Sequence, residues 1–305
     1  MVFFQSFIYS KIVENTVPQQ EKLAYLMIAP AVLLLIFIVG YPFMSGIYLS
    51  LSDARVGQAG TFVGIKNFIE VAKSPLFQTA LQNSILYTSI CVIVKLALGL
   101  TLALILNKAL RAKKFIRGVI LLPWVIPIVL SATGWKWMYD STYSVINWTL
   151  CKLEIIEGGI LWLGSPSLAR LSVILVNIWR GTPFFAINLL AGLMTIPKEL
   201  YDAAKTDGAG TLASFWYITL PFLRPVLAFV LLFSTVMTIS DFPIVYVLTQ
   251  GGPLNSTHLL PTLAYQIGLI TGNLAKGAAV SLFIFPVLLT VVYFQLRLMR
   301  RRWAW

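Results

Sequence analysis

The chain has 305 residues, 58% of them hydrophobic and 11% charged, with a mean hydropathy of +0.84. Soluble domains carry roughly 25% charged residues, so this composition excludes a soluble globular protein and indicates a polytopic membrane protein. The formal net charge of +12 would suggest a nucleic-acid partner in a soluble chain, but in a membrane protein it reflects basic loops on the inner side.

A helix needs about 20 apolar residues to cross a bilayer. Six stretches qualify, at 23–49, 83–106, 115–138, 171–195, 222–248 and 277–298. The predicted fold is an all-α membrane protein of six transmembrane helices. Residues 23–298 form the membrane domain, 1–22 a retained N-terminal segment without signal-peptide character, and 299–305 a short tail. The connection between the second and third spans carries Lys108, Arg111, Lys113, Lys114 and Arg117. The C-terminal end carries Arg297, Arg300, Arg301 and Arg302. Basic residues collect inside, which predicts that both termini and the 198–221 loop are cytoplasmic. The lone His258 and the two cysteines, Cys91 and Cys151, argue against a metal centre and a disulfide framework.

In chain order, the first external loop contains Phe62-Val63-Gly64-Ile65-Lys66-Asn67-Phe68, read as a turn at Gly64 and a short amphipathic helix capped by polar groups. Lys95 is a charge near the middle of the second span, facing either a partner or a polar cavity. The third span holds Leu122-Pro123-Trp124-Val125-Ile126-Pro127, and two prolines four apart disfavour a straight helix. In the second external loop, Trp148 and Trp162 are read as interfacial anchors.

The fourth span holds Asn177-Ile178-Trp179-Arg180-Gly181-Thr182-Pro183. A guanidinium near the bilayer centre costs about 2.5–3.5 kcal/mol on insertion scales, so Arg180 should be paired or in water. Arg180 is roughly 13 Å below the outer end of its predicted span and Asp241 roughly 10 Å below the end of the fifth. They are expected to face one cavity and to pair or to share a ligand. Ser234, Thr238 and Asp241 follow at steps of four and three, which puts them on one helix face.

Between the fourth and fifth spans runs a polar elbow, Lys198 to Pro221, with Glu199, Asp202-Ala203-Ala204 and Asp207-Gly208-Ala209. Gly208 and Gly210 supply a break between two short helices. Leu200, Ala203, Ala204, Leu212, Phe215 and Trp216 suit docking against a partner. Gly251-Gly252-Pro253 marks a turn beyond the fifth span, and the sixth span reads as ordinary packing around Pro286.

The elbow resembles the EAA loop of ABC-transporter permease subunits, with Asp202 where that family usually has glutamate. The first-loop segment resembles the F-x-G-x-x-N-F signature of carbohydrate-uptake permeases. Leu122 to Pro127 resembles the LP-x-x-P segment of maltose-type permeases, and Leu248 to Pro253 their L-T-x-G-G-P segment. The resemblance implies a type I ABC-importer permease fold, in the bacterial inner membrane, carrying a sugar or polyol into the cell. It implies a second homologous permease, two ATP-binding subunits and an extracytoplasmic solute-binding protein as partners. ATP and Mg would sit on the ATP-binding subunits and no cofactor on this chain, which lacks the P-loop pattern.

Carried over residue by residue, the resemblance places cargo contacts at Trp124, Asn177, Gly181, Ser234, Thr238 and Asp241, beside Arg180. It places ATPase coupling at Glu199, Asp202, Ala203, Ala204, Asp207, Gly208 and Ala209. Asp241 stands where the maltose permease has an amide. A carboxylate only accepts hydrogen bonds, which disfavours anionic cargo unless Arg180 compensates. Permeases for glycerol 3-phosphate or another small solute, and a secondary transporter working alone, are the alternatives.

Overall fold

The computed structural model describes residues 23–108 and 112–300. In chain order the helices are α1 (Leu23–Ser50), α2 (Lys66–Lys73), α3 (Pro75–Asn107), α4 (Lys113–Val125) and α5 (Ile128–Met138). There follow α6 (Val145–Lys152), α7 (Pro166–Met194), α8 (Lys198–Thr206) and α9 (Thr211–Ile239). The chain closes with α10 (Pro243–Leu248), α11 (Leu260–Ile270) and α12 (Leu274–Arg300). Five of these are long and apolar enough to cross a membrane, and α4 with α5 makes a sixth crossing bent by 89°. The all-α, six-crossing expectation therefore holds. The expected segment 1–22, Arg111, and Arg301 and Arg302 in the tail lie outside the described residues.

Prolines set several helix boundaries. α3 and α7 begin well before their expected starts at 83 and 171, because Pro75 and Pro166 occupy the first helical position. There the missing N–H costs nothing and the fixed φ suits the helix. Ser165 caps α7 by accepting from the Leu168 amide at 3.4 Å. The third crossing breaks at Ile126, whose backbone is extended (φ −62°, ψ 132°) because Pro127 follows it.

The fifth crossing departs most from expectation. It does not run on to Leu248 but stops at Ile239. Pro243 cannot donate to the carbonyl four residues back, and its ring would crowd that group. At the other end α9 begins at Thr211, ahead of the expected 222, and includes Pro221 and Pro225. A π-helical turn over Phe215–Thr219 rearranges the hydrogen-bond ladder just ahead of Pro221.

Three apolar clusters hold the bundle. One, near the α8 end, joins Phe185, Leu189 and Leu193 of α7 with Ala103 and Leu106 of α3, Leu223 and Val230 of α9, and Ile116 and Ile120 of α4. A second, near the opposite end, joins Tyr87 and Cys91 of α3 with Val173 and Val176 of α7, Val245 of α10, and Ile128 and Trp135 of α5. Since α4 belongs to the first cluster and α5 to the second, the bent pair crosses the bundle as one broken span. The third cluster packs α11 on α12 beside Phe77 of α3. Outside this core, α1 leans on α12 through Phe43 and Phe285, with ring centroids 5.9 Å apart. Most of its side chains are exposed, as suits a helix solvated by lipid.

The loops at the end away from α8 are tied down. Gly64 turns with φ +64°, and α2 follows as expected. Its N-cap, Ile65, makes no side-chain capping bond. The polar residue of the motif, Asn67, instead donates to the carbonyls of Ser50 (2.9 Å) and Ser52 (2.6 Å). It thereby satisfies the open C-terminal end of α1. Lys276 meets Glu70 at 2.7 Å, and this bond holds the Glu70 carboxyl below its ordinary pKa. Asn83 donates to the carbonyls of Ser256 (2.8 Å) and His258 (3.2 Å), fastening the loop after the Gly-Gly-Pro turn to α3. His258 is buried with Nδ1 3.2 Å from the Thr262 hydroxyl. Trp162 donates to Asn147 at 2.9 Å, so it braces the second loop, whereas Trp148 is exposed.

Candidate substrate cavity and coupling elbow

A cavity of about 510 Å³ opens between α3, α4, α7 and α9, within the range of roughly 300–1,000 Å³ usual for small-molecule sites. Trp124, Asn177, Arg180, Gly181, Ser234, Thr238 and Asp241 all line it. The depth argument for Arg180 and Asp241 thus led to one space, although both span boundaries behind it shifted. Arg180 is the midpoint of α7. Ser234 and Thr238 lie on α9, while Asp241 lies in the break between α9 and α10 rather than on a continuous helix face.

Arg180 and Asp241 do not pair. The ion pairs among the described residues are Lys205–Asp202 and Lys276–Glu70. Asp241 Oδ2 accepts from the Tyr87 hydroxyl (2.6 Å) and from Asn177 Nδ2 (2.9 Å), and Oδ1 accepts from the Ile244 amide (3.3 Å). Asn177 Oδ1 in turn accepts from Lys95 Nζ at 2.9 Å, and Lys95 also donates to Thr238 at 2.8 Å. Arg180 Nε is buried without a hydrogen-bond partner. Lys95, open between two readings in the sequence, lines the cavity and is only 3% exposed. Its stem passes over Gly181, where a Cβ would collide with Lys95 Cδ.

Sequence reasoning missed Tyr87, Phe184, Phe233 and Ser240. Phe184 lies under Trp124 with ring centroids 6.0 Å apart and planes at 26°. Phe233 packs on Phe184 at 4.9 Å. Together they add aromatic surface to a cavity that polar side chains also line. Tyr87 was legible as part of a stripe, because Tyr87, Cys91 and Lys95 recur every four residues and so share one face of α3.

At the far end of α7 the elbow is built by backbone chemistry. The Ala209 amide donates to the Ala204 carbonyl (2.8 Å) and the Gly208 amide to that of Lys205 (3.0 Å). This paired return is the Schellman closure of a helix, and it requires a left-handed residue at Gly208, whose φ is +80°. Gly210 is extended (φ −73°, ψ 173°), so the expected need for glycine holds at 208 and not at 210. The second short helix is the start of α9. Tyr201 and Thr219 hydroxyls, 2.9 Å apart, lock α8 to that start.

The elbow buries little of itself. α8 has no buried residue. Leu212, Trp216 and Tyr217 are exposed, and Asp202 and Lys205 face each other in the open at 3.4 Å. Glu199, Ala203 and Asp207 are exposed too.

Residues 95–304 match the family described as the binding-protein-dependent transport system inner membrane component. The chain belongs to that family. The match starts at Lys95, so it contains the α7 and α9 walls of the cavity and the whole elbow. This family member is 35% identical over 286 residues to the trehalose/maltose transport system permease protein MalF of Thermococcus litoralis, covering 93% of this chain and 96% of that one. It is 31% identical over 284 residues to the diacetylchitobiose uptake system permease protein DasB of Streptomyces coelicolor, covering 91% and 87%. A subunit of a bacterial ABC transporter that imports the acidic polysaccharide alginate superposes with a TM-score of 0.82 at 23% identity, over 94% of this chain and 98% of that one. That likeness establishes an ABC-importer permease fold. The chain is accordingly a multi-pass membrane component of a transport system.

Proposed function

We propose that this permease moves a sugar or polyol through the α3–α4–α7–α9 cavity by alternating access, driven by ATP-binding subunits docked on the elbow. The observation that carries this reading is the cavity's mixed lining of aromatic and polar side chains. Trp124, backed by Phe184, offers a flat face to the apolar side of a sugar ring. Arg180, Ser234 and Ser240 offer polar groups to hydroxyls. The named substrates of the similar permeases, trehalose/maltose and diacetylchitobiose, support it. A second permease closes the bundle, and a solute-binding protein delivers cargo at the end away from the elbow. Both termini and the elbow then face the cytoplasm. ATP and Mg belong to the ATP-binding subunits. Closure of those subunits rocks the spans between two packings that expose the cavity to opposite sides.

Both Asp241 oxygens are engaged by neutral donors, which leave its negative charge in place and still disfavour an anion beside it. Arg180, a cation on the cavity wall that forms no ion pair among the described residues, favours a second reading, an anionic solute such as glycerol 3-phosphate. Uptake of a labelled neutral disaccharide and of labelled glycerol 3-phosphate, each measured in proteoliposomes holding the complete complex, separates the two. The disaccharide is taken up under the first reading, and glycerol 3-phosphate under the second. Uptake by the isolated chain without ATP would contradict both. Under the sugar reading, Trp124→Ala raises the KM for transport about five- to tenfold, the equivalent of roughly 1–1.4 kcal/mol. The folded protein yield should not change, because Trp124 is 43% exposed.

A further inference from the structure

We propose that Lys95 and Asp241 are a buried charge pair, joined through Asn177, that fixes the break between α9 and α10, and that neither side chain is a cargo ligand. This assignment rests on reading the cavity as the cargo path and narrows which of its walls meet the cargo.

The hydrogen bonds argue the case atom by atom. A carboxylate has two oxygens, and here Oδ2 is held by Tyr87 and Asn177 while Oδ1 caps the Ile244 amide. That amide opens α10, where an N-terminal donor has no partner within its own helix. Asp241 therefore completes the stop that Pro243 imposes on α9. The Asn177 amide cannot turn round. Its oxygen must face the Lys95 ammonium and its nitrogen the Asp241 carboxylate, so both ends of the side chain are committed. Lys95 ties Asn177 of α7 to Thr238 of α9.

Burial and charge point the same way. Lys95 is 3% exposed and Asp241 5% exposed. A charge at this depth in a membrane is tolerated when it is paired. The pairing runs through one amide, which links α3, α7 and the α9–α10 break into one unit. Gly181 is small because the Lys95 stem needs its space. The cavity's remaining charged side chain, Arg180, takes no part in these bonds and lines the cavity.

The test is a charge cycle in the complete transport complex, comparing Lys95→Met, Asp241→Asn and the double variant. Each single variant leaves one buried charge without its counterpart, whereas the double variant removes both. Each single variant should lower the melting temperature of the complex and lower the maximal uptake rate about tenfold, with KM changed less than twofold. The double variant should recover most of both losses. Arg180→Gln serves as contrast, raising KM with the melting temperature held.

If the single variants do not accumulate in the membrane, accumulation of the double variant supports the pair. Failure of the double variant alongside them overturns it. A large rise in KM for Asp241→Asn at unchanged melting temperature, with no rescue in the double variant, makes Asp241 a cargo ligand and also overturns the proposal. Melting temperature and accumulation need no cargo, so they test the pair even if the transported solute proves not to be a sugar.

Discussion

Gly99→Val should leave little folded protein in the membrane. Gly99 lies where α3 crosses α7, and both helices continue well past the contact. A Cβ at 99 would overlap the Phe185 Cβ and come within 3.1 Å of the Ala186 amide nitrogen. Neither is the free end of a flexible side chain, so the clash is relieved only by moving one helix off the other. Overpacking a tight core costs about 1–3 kcal/mol, and here it also disturbs Leu189 and Leu106, which are buried in the same cluster. In a lipid solvent, close approach through small residues is a main source of helix association, and this contact cannot be replaced by the hydrophobic effect. Size-exclusion profiles of the detergent-solubilised variant should show loss of the monodisperse peak. Gly99→Ala should be intermediate. A normal profile and melting temperature for the valine variant would mean that α3 and α7 do not cross at Gly99.

Gly208→Val should uncouple uptake from ATP hydrolysis without unfolding the protein. No atom lies within 4 Å of a Cβ built at Gly208, so no clash is involved. The penalty is conformational. The left-handed geometry at φ +80° costs an ordinary L-residue about 1–2 kcal/mol, and a β-branched one is a worse case. The Schellman closure should open, and α8 should lose its fixed angle to the start of α9. Asparagine tolerates left-handed geometry, so Gly208→Asn should keep most of the activity. We expect uptake in proteoliposomes to fall more than about tenfold for valine and to stay within about threefold of wild type for asparagine, with equal amounts of assembled complex. Equal uptake by the two variants would remove the need for a left-handed turn at 208.

The contrast between these two glycines shows what a sequence discloses. Gly208 was legible because its role is local. A glycine at the end of a short polar helix, followed by a second helix, specifies the turn from neighbouring residues alone. Gly99 was not singled out, because its requirement is set by Phe185, which lies on another helix. The same distinction runs through the cavity. Arg180 and Asp241 were drawn together by depths counted from apolar run ends, and both ends lie elsewhere in the structure, at Pro166 and Ile239. The bonds that link Tyr87, Lys95, Asn177 and Asp241 were not legible, since these residues come from α3, α7 and the α9–α10 break, whose relative rotation no periodicity fixes. The stop at Ile239 was legible and missed, as Pro243 forbids the hydrogen bond that would continue α9. Asn67 shows the opposite limit. Its motif marked a capped helix, but the carbonyls it satisfies belong to α1 and the residues just after it, fifteen and seventeen positions away.

The coupling role of the elbow is tested most directly by cross-linking. Leu212 is 71% exposed at the start of α9, and Leu212→Cys in a Cys151→Ser background leaves only the buried Cys91 as a second thiol. In the assembled complex, the introduced thiol should be joined by a short bismaleimide to the ATP-binding subunit, with a yield that changes when ATP is added. It should resist an impermeant maleimide applied from outside the cell, which should label the exposed Cys151 of the unmodified chain. Labelling of the introduced thiol from outside, or no cross-link to any subunit of the intact complex, would contradict the account.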